Sequence, residues 1–374
     1  MIHNPPGDIM MPAAMIFRQL VDGRSSTYTY LLADAATRDA LLIDPVFEQY
    51  ARDAALVREL GLTLRYTLET HVHADHVTAA WLFHQRLGSA IVVSADGGAD
   101  GADRLVREGD VITFGGETLS VLSTPGHTGG CVSYQTGDRR AVFTGDSLMI
   151  RGAGRTDFQQ GDAQQMYRSS HDKLFALPDD CIVYPAHDYG GRLASSIGEE
   201  RAFNPRLGGD RSEADFVGFM ANLGLPHPKQ IDVALPANLR CGRPLDGAGV
   251  AAPSEWAPAR RSFAGVLEVE AEWLGEHLGE VQVIDVREPY EWTGELGRVP
   301  GARHLPLGEL RARLDELPRD RPIVAVCRAG GRSAEASLIL EQAGFPRAAN
   351  LSGGMIRWNG LGLPIEKGIA FDGP

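Results

Sequence analysis

The stretch Thr70-His71-Val72-His73-Ala74-Asp75-His76 decides how the first part of this chain is read. Three imidazoles and one carboxylate fall within six residues. Imidazoles are costly to bury without polar partners, so packing does not explain the crowding. A divalent metal supplies one shared partner for all of them. The run is entered from Leu64-Arg65-Tyr66-Thr67-Leu68-Glu69, which alternates like a strand. Three further apolar runs end in the same way. Thr118 to Ser123 leads into Thr124-Pro125-Gly126-His127, Arg140 to Thr144 into Gly145-Asp146, and Cys181 to Tyr184 into Pro185-Ala186-His187. Four expected strands thus each deliver a metal-type ligand at the C-terminal tip. Rigid strands that present reactive groups on loops are a common design of catalytic sites. From Asp75 onward the pattern predicts a helix.

The 374 residues suit more than one domain. Hydrophobic residues make up 43% and charged residues 23%, which suits a globular chain with substantial cores. No apolar run approaches the ~18 residues of a membrane span. Met1 to Asp8 lacks a basic region followed by an apolar one, so no signal peptide and a cytoplasmic location are expected. The cysteines, Cys131, Cys181, Cys241 and Cys327, form no CxxC pair, which fits a reducing compartment. Cys131 and Cys181 read as core residues, and Cys241 as part of an exposed connector. The net charge of −13 argues against nucleic acid or an anionic membrane as partner.

Residues 241–261, rich in Gly, Ala and Pro, read as a linker between a domain over 1–240 and another over 262–374. The prolines at 226, 228 and 236 make 226–250 an extended connector. Beyond it, Val281 to Val286 and Pro322 to Val326 are short buried-strand candidates among helical patterns, the mark of a small α/β domain with a parallel sheet.

A second chemical signal is Cys327-Arg328-Ala329-Gly330-Gly331-Arg332-Ser333, between an expected strand and an expected helix. Backbone N–H groups and a helix N-terminus lower a thiol's pKa and favour the thiolate. Arg328 and Arg332 add positive charge, and the two glycines let the loop curl into an anion site. Cys327 is therefore the candidate nucleophile, assisted by Arg328 and Arg332.

The first half resembles the metallo-β-lactamase superfamily, an αββα sandwich, through the His71–His76 run, His127, Asp146 and His187. The finer resemblance is to its persulfide dioxygenase branch near glyoxalase II. It is carried by Phe143 to Gly161 (FTGDSLMIRGAGRTDFQQG), by Val183 to Tyr189 and by Asn204-Pro205-Arg206. The last third resembles a rhodanese domain through Asp285-Val286-Arg287-Glu288, Pro300-Gly301-Ala302, the Cys327 loop and Gly353-Gly354-Met355. It departs from that pattern at Arg298, where rhodaneses often carry His.

The resemblance implies one mononuclear, non-heme Fe(II) held by His71, His127 and Asp146. His73, Asp75, His76 and His187, which hold a second metal in hydrolase relatives, are implied to orient ligands, water or substrate around it. Arg155, Tyr189 and Arg206 are implied to bind the glutathione moiety. The implied chemistry is oxidation of glutathione persulfide by O2 to sulfite and glutathione. The rhodanese part is expected to interconvert thiosulfate and glutathione with glutathione persulfide and sulfite. Relatives imply a homodimer. Two other readings stay open for the first domain and the Cys327 domain: a glyoxalase II-like hydrolase with two zinc ions, and a persulfide-carrying or docking module. A tyrosine phosphatase would need a longer loop between Cys and Arg.

Overall fold

The computed structural model describes residues 15–226, 230–244 and 256–367. Contacts divide the chain into two units, residues 1–50 with 60–248, and residues 51–59 with 249–374. The central residues of the expected linker, 245–255, lie outside the described residues.

The first unit is built on two sheets. One runs in chain order, β1 (Met15–Asp22), β2 (Thr27–Asp34), β3 (Asp39–Ile43), β4 (Thr63–Leu68), β5 (Ala90–Ser94) and β6 (Arg104–Val106). The other contains β7 (Val111–Phe114), β8 (Glu117–Ser123), β9 (Val132–Thr136), β10 (Ala141–Gly145), β11 (Ile182–Pro185) and β12 (Ser195–Ser196). One core fills the space between them, with Leu32, Leu41 and Leu68 facing Leu119, Val121 and Phe143. Tyr30 and Phe143 pack with ring centroids 4.9 Å apart. β10 is buried along its whole length, which is why it reads as a continuous run rather than an alternating one. Helices cover the outer faces. Met166, Leu174 and Phe216 pack on Val142 and Val183, and Ala80 packs on Ile91 and Val93. The result is the αββα sandwich expected from the resemblance.

Sheet topology brings the functional tips to one edge. β3 runs parallel to β4, and β10 runs parallel to β11 with Gly145 beside Pro185. The loops after β3, β4, β8, β10 and β11 supply the polar groups described below.

Three expectations need correction. The helix after the histidine run begins at Ala80, not Asp75. A non-helical loop instead places the rings of His71 and His73 at 4.0 Å and of His73 and His76 at 4.3 Å. The stretch read as an extended connector contains a helix, Ile231–Asn238, with Pro236 inside it. Cys241 is buried, 2% exposed, because this segment packs beside Ala80 and Ile91. Cys131 and Cys181 are core residues, and burial pushes their thiols up to about 11 and about 12.

The second unit holds one sheet of β13 (Arg260–Arg261), β14 (Leu267–Val269), β15 (Gln282–Asp285), β16 (Arg303–His304), β17 (Ile323–Val326) and β18 (Ala348–Leu351). The order is β13-β14-β18-β17-β15-β16, and every pairing except β13 with β14 is parallel. Val324, Leu351 and Trp358 belong to the core on one face, Ala325, Leu340 and Leu310 to that on the other. No helix among the described residues is long and apolar enough to cross a membrane.

Candidate metal centre and cysteine loop

His71, His127 and Asp146 come together, each offering a ligand atom within 4.8 Å of the others. Each imidazole is fixed through its other nitrogen. His71 Nδ1 lies 3.0 Å from Thr70 Oγ1, whose hydroxyl donates to Asp44 Oδ2 at 2.8 Å. His127 Nδ1 lies 2.6 Å from the carbonyl of Arg155. Both Nε2 atoms are left for the centre, the usual way in which an outer partner sets the tautomer of a metal-binding histidine. Burial, then His73 and His127, keep the His71 pKa well below its ordinary value, so its imidazole is neutral. Burial alone would raise the Asp146 carboxyl, but His187, His127 and His71 hold it far below the usual range. Gly154 passes so close that a Cβ there would stand 2.9 Å from His127 Cγ.

The other histidines fall into a second arrangement. His187 joins two carboxylates, with Nδ1 2.8 Å from Asp146 Oδ1 and Nε2 3.0 Å from Asp75 Oδ2. His76 Nδ1 is 3.1 Å from the same Asp75 oxygen. The hydroxyl of Thr27 lies 3.1 Å from His187 Nε2 and 3.2 Å from both His76 Nδ1 and Asp75 Oδ2. His73 turns the other way, with Nε2 3.1 Å from Asp44 Oδ1 and 3.5 Å from Glu69 Oε2. Burial would lower His73, yet Asp44 and Glu69 raise it to about 9. Among the described residues, His73, Asp75 and His76 also form a possible three-donor group.

Residues not singled out from the sequence hold this loop. Asp44 accepts from the backbone N–H of Thr70 at 2.7 Å. Its signal was visible, a carboxylate directly after the apolar run of β3 and before Pro45. Asn238 has no such signal. Its carboxamide donates to the carbonyls of His73 and His76 and accepts from the N–H of Thr78.

The three expected glutathione ligands have different surroundings. The Arg155 guanidinium is bound to Asp157 at 2.6 and 2.7 Å and to the carbonyls of Leu225 and Pro226. Those bonds hold it between Asp157 of its own loop and the distant Leu225–Pro226 segment, and its contact with the centre is the main-chain one to His127. Tyr189 is 77% exposed, with its ring 6.1 Å from that of His187 and nearly parallel to it. Arg206 is half-buried, donates to the Ala153 carbonyl at 2.7 Å and lies over Phe219. Neighbouring Asn204 pins the 149–153 loop by donating to the Gly152 carbonyl at 2.9 Å.

In the second unit, Cys327 follows central strand β17 and precedes the helix Gly331–Gln342. Gly330, at φ +100, turns the loop so that its N–H reaches Cys327 Sγ at 3.1 Å. The Ser333 hydroxyl donates to the same sulfur at 3.2 Å. Burial alone would raise this thiol, but Ser333 and the N–H groups of Ala329 and Gly330 bring it below its ordinary value. It is the opposite of the other three cysteines. Arg328 is exposed beside it. Arg332, expected to add positive charge at the loop, is held by Glu291 in two bonds of 2.6 and 2.8 Å.

Comparison with known proteins finds a relative for each unit. Residues 22–187 match the metallo-beta-lactamase superfamily and residues 270–361 the rhodanese-like domain. The mitochondrial persulfide dioxygenase ETHE1 of Homo sapiens is 51% identical over 231 residues, spanning 62% of this chain and 90% of that protein. The crystal structure of ETHE1 from Myxococcus xanthus is 53% identical with a TM-score of 0.59, covering 61% of this chain and all of that one. A Staphylococcus aureus metallo-beta-lactamase, 23% identical with a TM-score of 0.58, covers 91% of this chain and shares the fold. With a centre of two histidines and an aspartate in the first unit and a thiol under a ring of N–H donors in the second, the chain belongs to the persulfide dioxygenase family and carries a C-terminal rhodanese domain.

Proposed function

We propose that the first unit is a mononuclear iron(II) dioxygenase that converts glutathione persulfide, O2 and water to sulfite, glutathione and two protons. The observation that carries this reading is the convergence of His71, His127 and Asp146, with each imidazole anchored through Nδ1, in a member of the persulfide dioxygenase family. Two neutral imidazoles and one carboxylate are the donor set of non-heme iron(II) sites, and bound iron would supply open positions for a soft sulfur anion and for O2. His187 and Asp75 steady Asp146 from outside, His76 joins them through Asp75, and His73 lies against Asp44 and Glu69 behind His71. Tyr189 and Arg206 are the proposed contacts to glutathione, and Arg155 supports His127 through its carbonyl.

The second unit is proposed as a thiosulfate sulfurtransferase. The Cys327 thiolate attacks the outer sulfur of thiosulfate, the S–S bond breaks, and sulfite leaves with the electron pair. The resulting Cys327 persulfide passes its sulfur to glutathione, and Arg328 and the loop N–H groups stabilise the anions. Glutathione persulfide and sulfite are then common to both sites. The free thiols support a reducing compartment such as the cytoplasm, although the mammalian relatives are named mitochondrial.

The His73, Asp75 and His76 group favours one other reading, a two-zinc thioester hydrolase. O2 uptake with glutathione persulfide, measured beside metal content, separates the two. One iron per chain and sulfite formation are expected. Two zinc ions, no O2 uptake and thioester hydrolysis would overturn the dioxygenase.

A further inference from the structure

We propose that Asn238, on the helix Ile231–Asn238, is a positioning residue of the metal centre that fixes the ligand loop through its carboxamide. The inference rests on reading His71, His127 and Asp146 as metal ligands. Residues 72–77 belong to no helix or strand, so their buried carbonyls have no regular partners. Asn238 supplies them. Its two N–H bonds go to the carbonyls of His73, at 2.9 Å, and His76, at 2.7 Å, while its oxygen accepts from the N–H of Thr78 at 2.9 Å. The side chain is 5% exposed, and each end of the amide is matched. No other residue type of this length presents two donors and one acceptor in one plane.

The residues after Asn238 are held by the elements that flank this loop, the helix Ala80–Leu87 and the loop after β5. Trp81 N–H donates to the Cys241 carbonyl at 3.1 Å, and Asp100 N–H to the Leu239 carbonyl at 2.7 Å. Gly242, at φ +80, lies so near that a Cβ would stand 2.4 Å from the Thr78 oxygen. The helix therefore acts as a strap across the back of the loop that carries His71. It lies some 160 residues further along the chain than the loop it clamps, as the Asn238 to Thr78 bond shows.

The test is Co(II) titration of the metal-free full chain, read by the d–d absorption bands, beside the melting temperature of the metal-free form. Asn238→Asp keeps the shape but turns oxygen lone pairs toward two carbonyls, and Asn238→Leu removes every bond. Both are expected to weaken Co(II) binding at least tenfold and to alter the bands. Gly242→Ala presses on the loop from the Thr78 side without touching the carboxamide, and it should act in the same direction. Wild-type affinity and bands in all three variants would overturn the proposal. So would a lower melting temperature with unaltered bands and affinity, which marks a merely structural residue. If His71→Ala kept the wild-type bands, the ligand assignment itself would fall, and this inference with it.

Discussion

At the residue scale, the donors around its sulfur set the chemistry of Cys327 apart from that of its three fellow cysteines. All four are buried, and burial alone raises a thiol. Cys131 also meets a hydroxyl and an N–H, both from Thr128 at 3.2 Å, yet burial still pushes its thiol up to about 11. Cys327 instead meets the Ser333 hydroxyl and the N–H groups of Ser333, Ala329 and Gly330 and is lowered. Ser333→Ala removes the hydroxyl and leaves the loop N–H groups in place. The Cys327 pKa should then rise toward the ordinary value. The alkylation rate by iodoacetamide should fall several-fold near pH 7 and converge with wild type above about pH 9, where both thiols are ionised. A rate–pH profile that does not move would show that the hydroxyl plays no part in holding the thiolate.

At the element scale, the short helix Pro289–Trp292 is tied to the start of the helix Gly331–Gln342 by Glu291 and Arg332. The Arg332 hydrogen bonds, partly opposed by burial, hold the Glu291 carboxyl down at about 2. A carboxyl lowered in the folded state stabilises above its unfolded pKa of ~4.5 and loses that contribution as pH falls through the folded value. Glu291→Gln should therefore melt earlier than wild type at neutral pH, with the gap closing between roughly pH 4.5 and 2. Thermal melts across that range check it, and a constant gap would mean that the pair does not titrate as described. Another pair in the same unit, the buried Asp285 and Arg287, explains the Asp-Val-Arg motif. Arg287 is fully buried and also donates to the Gly297 carbonyl at 2.7 Å, so it braces the fold rather than the reaction.

At the scale of the whole molecule, the two units have separate cores, and the two proposed chemistries would share glutathione persulfide and sulfite. Cys327→Ser should abolish O2 uptake driven by thiosulfate and glutathione, while uptake driven by added glutathione persulfide continues at the wild-type rate. An O2 electrode distinguishes the two. Retained thiosulfate-driven uptake would leave the second unit as a docking or carrier module. The sequence by itself determined the two fold classes and the principal donors. Strands that end in His71, His127, Asp146 and His187 are local patterns, and a run such as Cys327 to Ser333 needs only its own backbone to form an anion loop. Tertiary structure decided what depends on distant partners. It turned His73 toward Asp44 and Glu69, placed Thr27 among Asp75, His76 and His187, and bound Arg155 to the carbonyls of Leu225 and Pro226 and Arg332 to Glu291. It also made a helix of a proline-marked stretch and set Asn238 against the histidine loop. These outcomes rest on buried polar groups finding partners far along the chain, and no local periodicity records which partner each will meet.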